Sequence, residues 1–131
     1  KKLQGKIGII GIGIENLHIV NFLIKNKIND ITVLDKRNKE QIGDRYNSLE
    51  NQGVKFQLGK NYLKNLSQFD ILFRSPGFPL FSIEIAGTKR KGATIYSAMK
   101  LFFDLCPCPI IGITGTKGKG ATSSLIYEIL K

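Results

Sequence analysis

Histidine and cysteine are almost missing from this 131-residue chain: there is one histidine, His18, and there are two cysteines, Cys106 and Cys108. A serine–histidine–aspartate nucleophile needs a histidine set between partners, and His18 falls in a stretch of helical spacing where it reads as a structural or surface residue. The cysteines stand in Cys106-Pro107-Cys108-Pro109, with no second Cys/His pair to complete a zinc tetrahedron. They are expected to be reduced, semi-buried thiols of a cytosolic protein. No apolar run approaches the roughly 18 residues needed to cross a bilayer. The start, Lys1-Lys2-Leu3-Gln4-Gly5, is basic but lacks the apolar core and small-residue cleavage site of a secretory signal. Internal repeats and low-complexity segments are also missing. Acidic residues are scarce, 10 against 20 Lys and Arg, for a net charge of +10. Such an excess suits either an acidic partner or a lysine-rich surface. The lysines are scattered and interleave with no aromatic stripe, which favours the surface reading over a nucleic-acid interface.

What is present is a regular alternation of short apolar blocks and helical periods. The length suits about one domain with a real core, and the 42% apolar content is that of a globular protein. Lys6–Ile10, Ile31–Leu34, Val54–Leu58, Ile71–Phe73 and Ala93–Tyr96 read as strands. Glu15–Asn26, with apolar residues at 17, 19, 20, 23 and 24, has one buried helical face. Residues 39–52 read as a polar helix touching the core through Ile42, Tyr46 and Leu49 and ending at Gly53. Phe81–Lys91 and Ala98–Leu105 read as further helices. After the prolines at 107 and 109, Ile110–Thr114 reads as a strand, a glycine-rich loop follows, and Ala121–Leu130 reads as a helix. The expected fold class is α/β: a Rossmann-like, doubly wound, mostly parallel sheet with helices on both faces. The Cys-Pro-Cys-Pro stretch is the natural boundary between two units.

Two sites follow. In open α/β sheets ligands gather beyond the carboxyl ends of the strands, near a switch in strand order. Gly11-Ile12-Gly13 ends the first strand, Asp35-Lys36-Arg37 the second and Ser75-Pro76-Gly77 the fourth. The glycines permit a tight turn, and the N-terminus of the following helix offers unpaired N–H groups that suit a phosphate. Asp35 lies 22 residues after Gly13, near the spacing at which an acid meets a ribose or base edge. Arg37 offers a cation or a flat stacking surface. The third fingerprint position is Asn16, not glycine, and Glu15 places an acid at the helix start. Three readings stand on these residues: a uridine-type nucleotide, which is favoured, a nicotinamide or flavin dinucleotide, and a structural turn without ligand. The second site is Gly115-Thr116-Lys117-Gly118-Lys119-Gly120-Ala121, between the expected strand and helix, which is the context of a phosphate-binding loop. Its amides would wrap phosphates and Lys119 would meet the transferring oxygens. Gly120 stands where a hydroxyl usually follows this lysine, leaving Thr122 or Ser123 as candidate magnesium contacts.

The two sites in this order resemble the Mur ligases of peptidoglycan synthesis. The resemblance runs through Gln4-Gly5-Lys6, Gly11-Ile12-Gly13, Val33-Leu34-Asp35-Lys36-Arg37, Ser75-Pro76-Gly77-Phe78-Pro79 and Gly112-Ile113-Thr114-Gly115-Thr116-Lys117-Gly118-Lys119. It covers nearly the whole chain and is nearest to the branch that joins D-glutamate to UDP-N-acetylmuramoyl-L-alanine. It implies a UDP-sugar-binding Rossmann-like domain over residues 1–105, with Gly13, Ile14, Glu15, Asp35, Lys36, Arg37, Ser75, Pro76 and Gly77 as substrate contacts. It implies that residues 106–131 open a P-loop ATPase domain, truncated here, in which residues 115–121 hold ATP and Lys119 is catalytic. In that family ATP, with Mg²⁺, phosphorylates the substrate carboxylate, and the amino acid's amine attacks the acyl phosphate. A cytoplasmic location is implied, with no nucleic acid and no membrane insertion. The alternatives are another Mur ligase, or an NAD(P)-binding Rossmann module without ligase activity. Four positions depart from the family pattern: Glu15, Asn16, Lys100 and Gly120, the last resembling folylpolyglutamate synthase, a relative with the same ATPase fold. The 131-residue chain alone is expected to release no ADP in response to D-glutamate, because phosphoryl transfer depends on positioned metal ligands and charges that one loop does not supply. A coupled ADP assay on the purified chain checks this, and D-glutamate-dependent turnover would refute it.

Overall fold

A computed structural model describes residues 3–79 and 81–131; the basic start at Lys1 and Lys2 lies outside them. Five strands make one parallel sheet in the order β3-β2-β1-β4-β5. They are β1 (Ile7–Ile10), β2 (Ile31–Asp35), β3 (Lys55–Leu58), β4 (Ile71–Arg74) and β5 (Thr94–Tyr96). Every pairing is parallel, with Ile7 level with both Ile31 and Ile71. Among the described residues six helices accompany them: α1 (Ile14–Lys25), α2 (Lys39–Ile42), α3 (Asp44–Glu50), α4 (Ile83–Arg90), α5 (Ala98–Leu105) and α6 (Lys119–Leu130).

The alternation of side chains along each strand divides the core in two. Ile7, Ile9, Val33, Ile31, Ile71 and Phe73 face one side, where α1 supplies Ile19, Val20 and Leu23, α2 Ile42, α3 Leu49 and α5 Leu101. Ile10, Leu34 and Leu72 face the other side, covered by Leu66, Phe69 and Ile85. Parallel strands buried on both faces explain why β1 and β4 read as unbroken apolar runs. The chain winds outward from β1 to β2 to β3 over the first face, then returns to the other flank of β1 through β4 and β5. That return puts the reversal of strand order between β1 and β4.

Five of the six strands expected from the sequence form, with ends shifted by a residue. The polar helix over 39–52 is broken at Gly43 into α2 and α3; Asn38 and Gln41 close a reciprocal cap on α2. The helix expected from Phe81 starts at Ile83, because Ser82 Oγ accepts the Ile85 N–H and sets the cap there. The strand expected at Ile110–Thr114 does not form: these residues have no regular structure, and all are exposed except half-buried Ile113. A parallel strand exists only through a neighbour's amides, and among the described residues this segment has no sheet partner. The sequence left residues 59–70 unassigned; they form two short 3-10 turns, Gly59–Asn61 and Leu66–Gln68. Cys106 is half-buried, Cys108 is exposed and both are free thiols. His18 is exposed, as expected of a surface residue. Among the described residues no helix is long and apolar enough to cross a membrane.

Gly8 shows how tightly the sheet is covered. A Cβ there would lie 2.5 Å from Leu72 Cδ2 and 3.1 Å from the Phe69 ring. Gly8→Val is therefore expected to cost about 2–3 kcal/mol by overpacking, seen as a lowered urea midpoint. An unchanged midpoint would show that this face of β1 is more loosely packed than described.

Candidate functional site

The ends of β1 and β2 are bound to one another through side chains as well as the ladder, and beyond β4 the Ser75 N–H donates to the Ile10 carbonyl at 3.1 Å. Asp35, the last residue of β2, is buried, 3% exposed. Its Oδ2 accepts the Ile12 N–H at 2.9 Å and Arg37 Nη2 at 2.8 Å; its Oδ1 accepts the Arg37 N–H at 2.9 Å and Arg37 Nε at 3.0 Å. Arg37 Nη2 also donates to the Ile12 carbonyl at 3.2 Å. A carboxylate has about four acceptor directions, and here four N–H contacts from the chain occupy them. Burial pushes the Asp35 carboxyl upward, but the Arg37 side-chain bond, the two backbone bonds and the Arg37 charge outweigh it and hold the pKa below its ordinary 3.8. The same pair raises the pKa of Arg37.

Asn16, in the first turn of α1, fastens the other side of this corner. Its Nδ2 donates to the Ile10 carbonyl at 2.9 Å and to the Gly11 carbonyl at 2.7 Å. The residue is 1% exposed and its Oδ1 has no partner among the described residues. Gly11 takes a positive φ of 78°, and a Cβ on it would meet Ser75 Oγ at 3.2 Å, so glycine suits this position in two ways. Gly13 caps α1 without a side-chain bond, which leaves first-turn N–H groups available at the positive end of the helix dipole. Beyond β4, Arg74 Nη1 donates to the Phe78 carbonyl at 3.2 Å and curls the 75–79 loop over the strand end.

These strand ends enclose a cleft of about 500 Å³ lined by Ile10, Gly11, Ile12 and Gly13, by Asp35, Lys36 and Arg37, by Tyr62, and by Ser75, Gly77, Phe78 and Pro79. The volume is that of a small-molecule site, and its position is the β1/β4 switch point. Of the residues read from the sequence, Gly13, Asp35, Lys36, Arg37, Ser75 and Gly77 come together here. Ile14, Glu15 and Pro76 do not line the cleft; Ile14 and Glu15 are exposed on α1. Sequence reasoning missed Tyr62, which sits in a segment with no period to read. It also took Asn16 as a departure from the glycine fingerprint, whereas its amide bridges two carbonyls at the end of β1.

The second loop lies outside this cleft. Gly118 caps α6 with a left-handed backbone, φ 78°. Lys119 opens the helix and its Nζ donates to the Gly115 carbonyl at 2.6 Å. Ser123 Oγ donates to the Lys119 carbonyl at 2.8 Å. Thr116, Lys117, Gly120, Ala121 and Thr122 are exposed. The lysine thus sits over its loop, on the N-terminal turn of a helix.

Residues 5–97 match the family model for the Mur ligase MurD-like N-terminal domain. This chain belongs to the MurD-like Mur ligases. The matched span takes in every strand of the sheet and the whole cleft. Among curated relatives, the UDP-N-acetylmuramoylalanine–D-glutamate ligase of Clostridium novyi (strain NT) is 39% identical over 125 residues, 95% of this chain and 27% of the relative. The enzyme of the same name from Clostridium tetani (strain Massachusetts / E88) is 42% identical over 126 residues, 96% of this chain and 27% of the relative. That of Acetivibrio thermocellus (strain ATCC 27405) is 38% identical over 132 residues, 100% of this chain and 28% of the relative. The chain therefore spans little more than a quarter of the length of these relatives, and the similarity continues past the cleft through the second loop.

Replacing Asp35 with asparagine removes the charge and leaves N–H donors of Ile12 or Arg37 without their acceptor, so Asp35→Asn is expected to cost about 1–3 kcal/mol at pH 7. The folded pKa of Asp35 is depressed, so its contribution is full above 3.8 and is lost as pH falls through the folded value. The gap in urea midpoint between wild type and Asp35→Asn should be widest near neutrality and close in strong acid. A pH-independent gap would place the cost in packing instead of charge.

Proposed function

We propose that this chain is the N-terminal portion of an ATP-dependent carbon–nitrogen ligase that adds D-glutamate to UDP-N-acetylmuramoyl-L-alanine in peptidoglycan synthesis, acting in the cytoplasm. The observation that carries the reading is the cleft at the switch point. It joins an uncapped helix N-terminus to Lys36 and Arg37 in a chain that belongs to the MurD-like family. In this reading residues 1–105 hold the UDP-sugar. The first-turn amides of α1, next to Gly13, and the Lys36 charge favour the diphosphate. The Gly77 and Ser75 rim borders the same cavity. Ile14, Glu15 and Pro76 lie outside the cleft lining, and in this reading they would contact the substrate only where it extends beyond the cleft. Asp35 acts by holding Ile12 and Arg37 in place, since its own acceptors are occupied.

Residues 106–131 open the ATPase domain in this proposal. The amides of residues 115–121 would hold ATP phosphates, and Lys119 would exchange its Gly115 carbonyl for the phosphoryl oxygens as negative charge grows there. ATP would supply the phosphoryl group that activates the substrate carboxylate for attack by the D-glutamate amine. Mg²⁺ takes six oxygens, usually with one or two carboxylates. Residues 112–124 contain no acid, and among the described residues no group of three potential ligands gathers. The hydroxyl of Thr122 alone does not make a magnesium site, and no step by these residues depends on one.

Calorimetric titration of the chain with UDP tests the reading. Saturable heat is expected, weakened several-fold in Asp35→Ala as Ile12 and Arg37 lose their anchor. A second reading, a dinucleotide module, rests on the Rossmann-like topology and the glycine turn alone. Saturation by NADH with no heat from UDP would establish it in place of the first.

A further inference from the structure

Tyr62 stands in the cleft without any of the ties that hold its neighbours. Its ring lies half-buried at the edge of the second core, beside Phe78. It joins none of the ring pairs of the described residues, and its hydroxyl has no hydrogen-bond partner among them. Another flat group in the cleft, the Arg37 guanidinium, is committed to Asp35 and the Ile12 carbonyl. The Tyr62 ring is thus one of two aromatic rings, with Phe78, that the cleft leaves outside any ring pair among the described residues.

The backbone beneath that ring is fixed with unusual care. Gln57, on β3, extends Nε2 to three carbonyls of one turn: Asn61 at 3.2 Å, Tyr62 at 2.9 Å and Lys64 at 2.8 Å. The Tyr62 N–H donates to the Gly59 carbonyl at 3.1 Å, and Leu63 and Leu66 anchor the turn in the core. A side chain mounted this way is pre-organised, so little ordering cost remains when something packs on it. Burial, with the charges of Asp35 and Glu84 nearby, raises the phenol pKa, so the hydroxyl stays a neutral proton donor over the working range. Gln57, on β3, holds the Tyr62 carbonyl at 2.9 Å, so the turn that carries Tyr62 is tied to the β3 side of the cavity. The uncapped amides of α1 follow β1, toward the diphosphate.

We propose that Tyr62 is a specificity-determining residue that packs its ring against the pyrimidine of the bound nucleotide. The inference rests on the nucleotide reading of the cleft. Base–aromatic stacking is worth about 1–3 kcal/mol by alanine substitution, which is roughly a tenfold or greater change in affinity. Phe78, which also lines the cleft, lies in the loop after β4 and is anchored by Arg74 through its carbonyl.

The test uses the 131-residue chain and three probes: UDP, uridine and inorganic diphosphate. Tyr62→Ala is expected to weaken UDP and uridine about tenfold and to leave diphosphate within twofold. Tyr62→Phe keeps the ring and is expected to hold UDP within about threefold of wild type. Gln57→Leu frees the turn and is expected to fall between the two. The chain has no tryptophan, so tyrosine fluorescence reports directly: UDP should change it in wild type and not in Tyr62→Phe. Equal UDP affinity in wild type and Tyr62→Ala would overturn this inference while leaving the nucleotide reading intact. Equal losses of UDP and diphosphate in Tyr62→Ala would also overturn it, because they indicate a distorted cleft. Wild-type protein that binds none of the three probes would remove the nucleotide reading and this inference with it.

Discussion

The corner at Asp35 governs the rest of the molecule. Two carboxylate oxygens gather the Ile12 amide, the Arg37 amide and the Arg37 guanidinium, and so weld the outgoing ends of β1 and β2 at the point where the backbone ladder stops. A strand end normally frays, because its last amides lose their partners. Here a buried charge replaces the ladder, and its desolvation cost is offset by the number and closeness of its donors. Asn16 does the same for the two carbonyls at the end of β1. The floor of the cleft is therefore made of satisfied backbone, and its free amides are those of the first turn of α1.

Topology decides where that floor lies. The first three strands spread to one side of β1 under α1, α2 and α3, and the last two return to the other side under α4. Between β1 and β4 the connecting segments diverge to opposite faces, so no crossover covers the strand ends. Gly11 and Ser75 close the seam at short range: a Cβ on Gly11 would meet Ser75 Oγ. The cleft is thus a consequence of winding order, and the residues around it tune what the opening accepts.

Much of this was legible in the residues. Strand–helix alternation, the all-apolar parallel strands and the set Gly13, Asp35, Lys36, Arg37, Ser75 and Gly77 followed from period, spacing and the rule that ligands gather at strand ends. Three things did not follow. Ile110–Thr114 has the composition of a buried strand, but a strand is a relation between segments, and composition carries no information about the partner. That the Asp35 oxygens accept four N–H contacts from the chain does not follow from its spacing, because it depends on where Arg37 folds back. Tyr62 lies in irregular turns, and its place in the cleft comes from Gln57, five residues earlier, gathering three carbonyls of one loop.

The two outermost strands, β3 and β5, bear on unwanted association. A sheet that ends in β3 and β5 presents a row of unpaired amides on each flank, which another polypeptide could extend. Both flanks are blunted. β5 is three residues long and β3 four, and β3 begins with Lys55, whose exposed ammonium pairs with Asp30. Short borders with a fixed cation give a neighbouring molecule too little ladder to grip, which guards the module against the fibrillar stacking that parallel sheets invite.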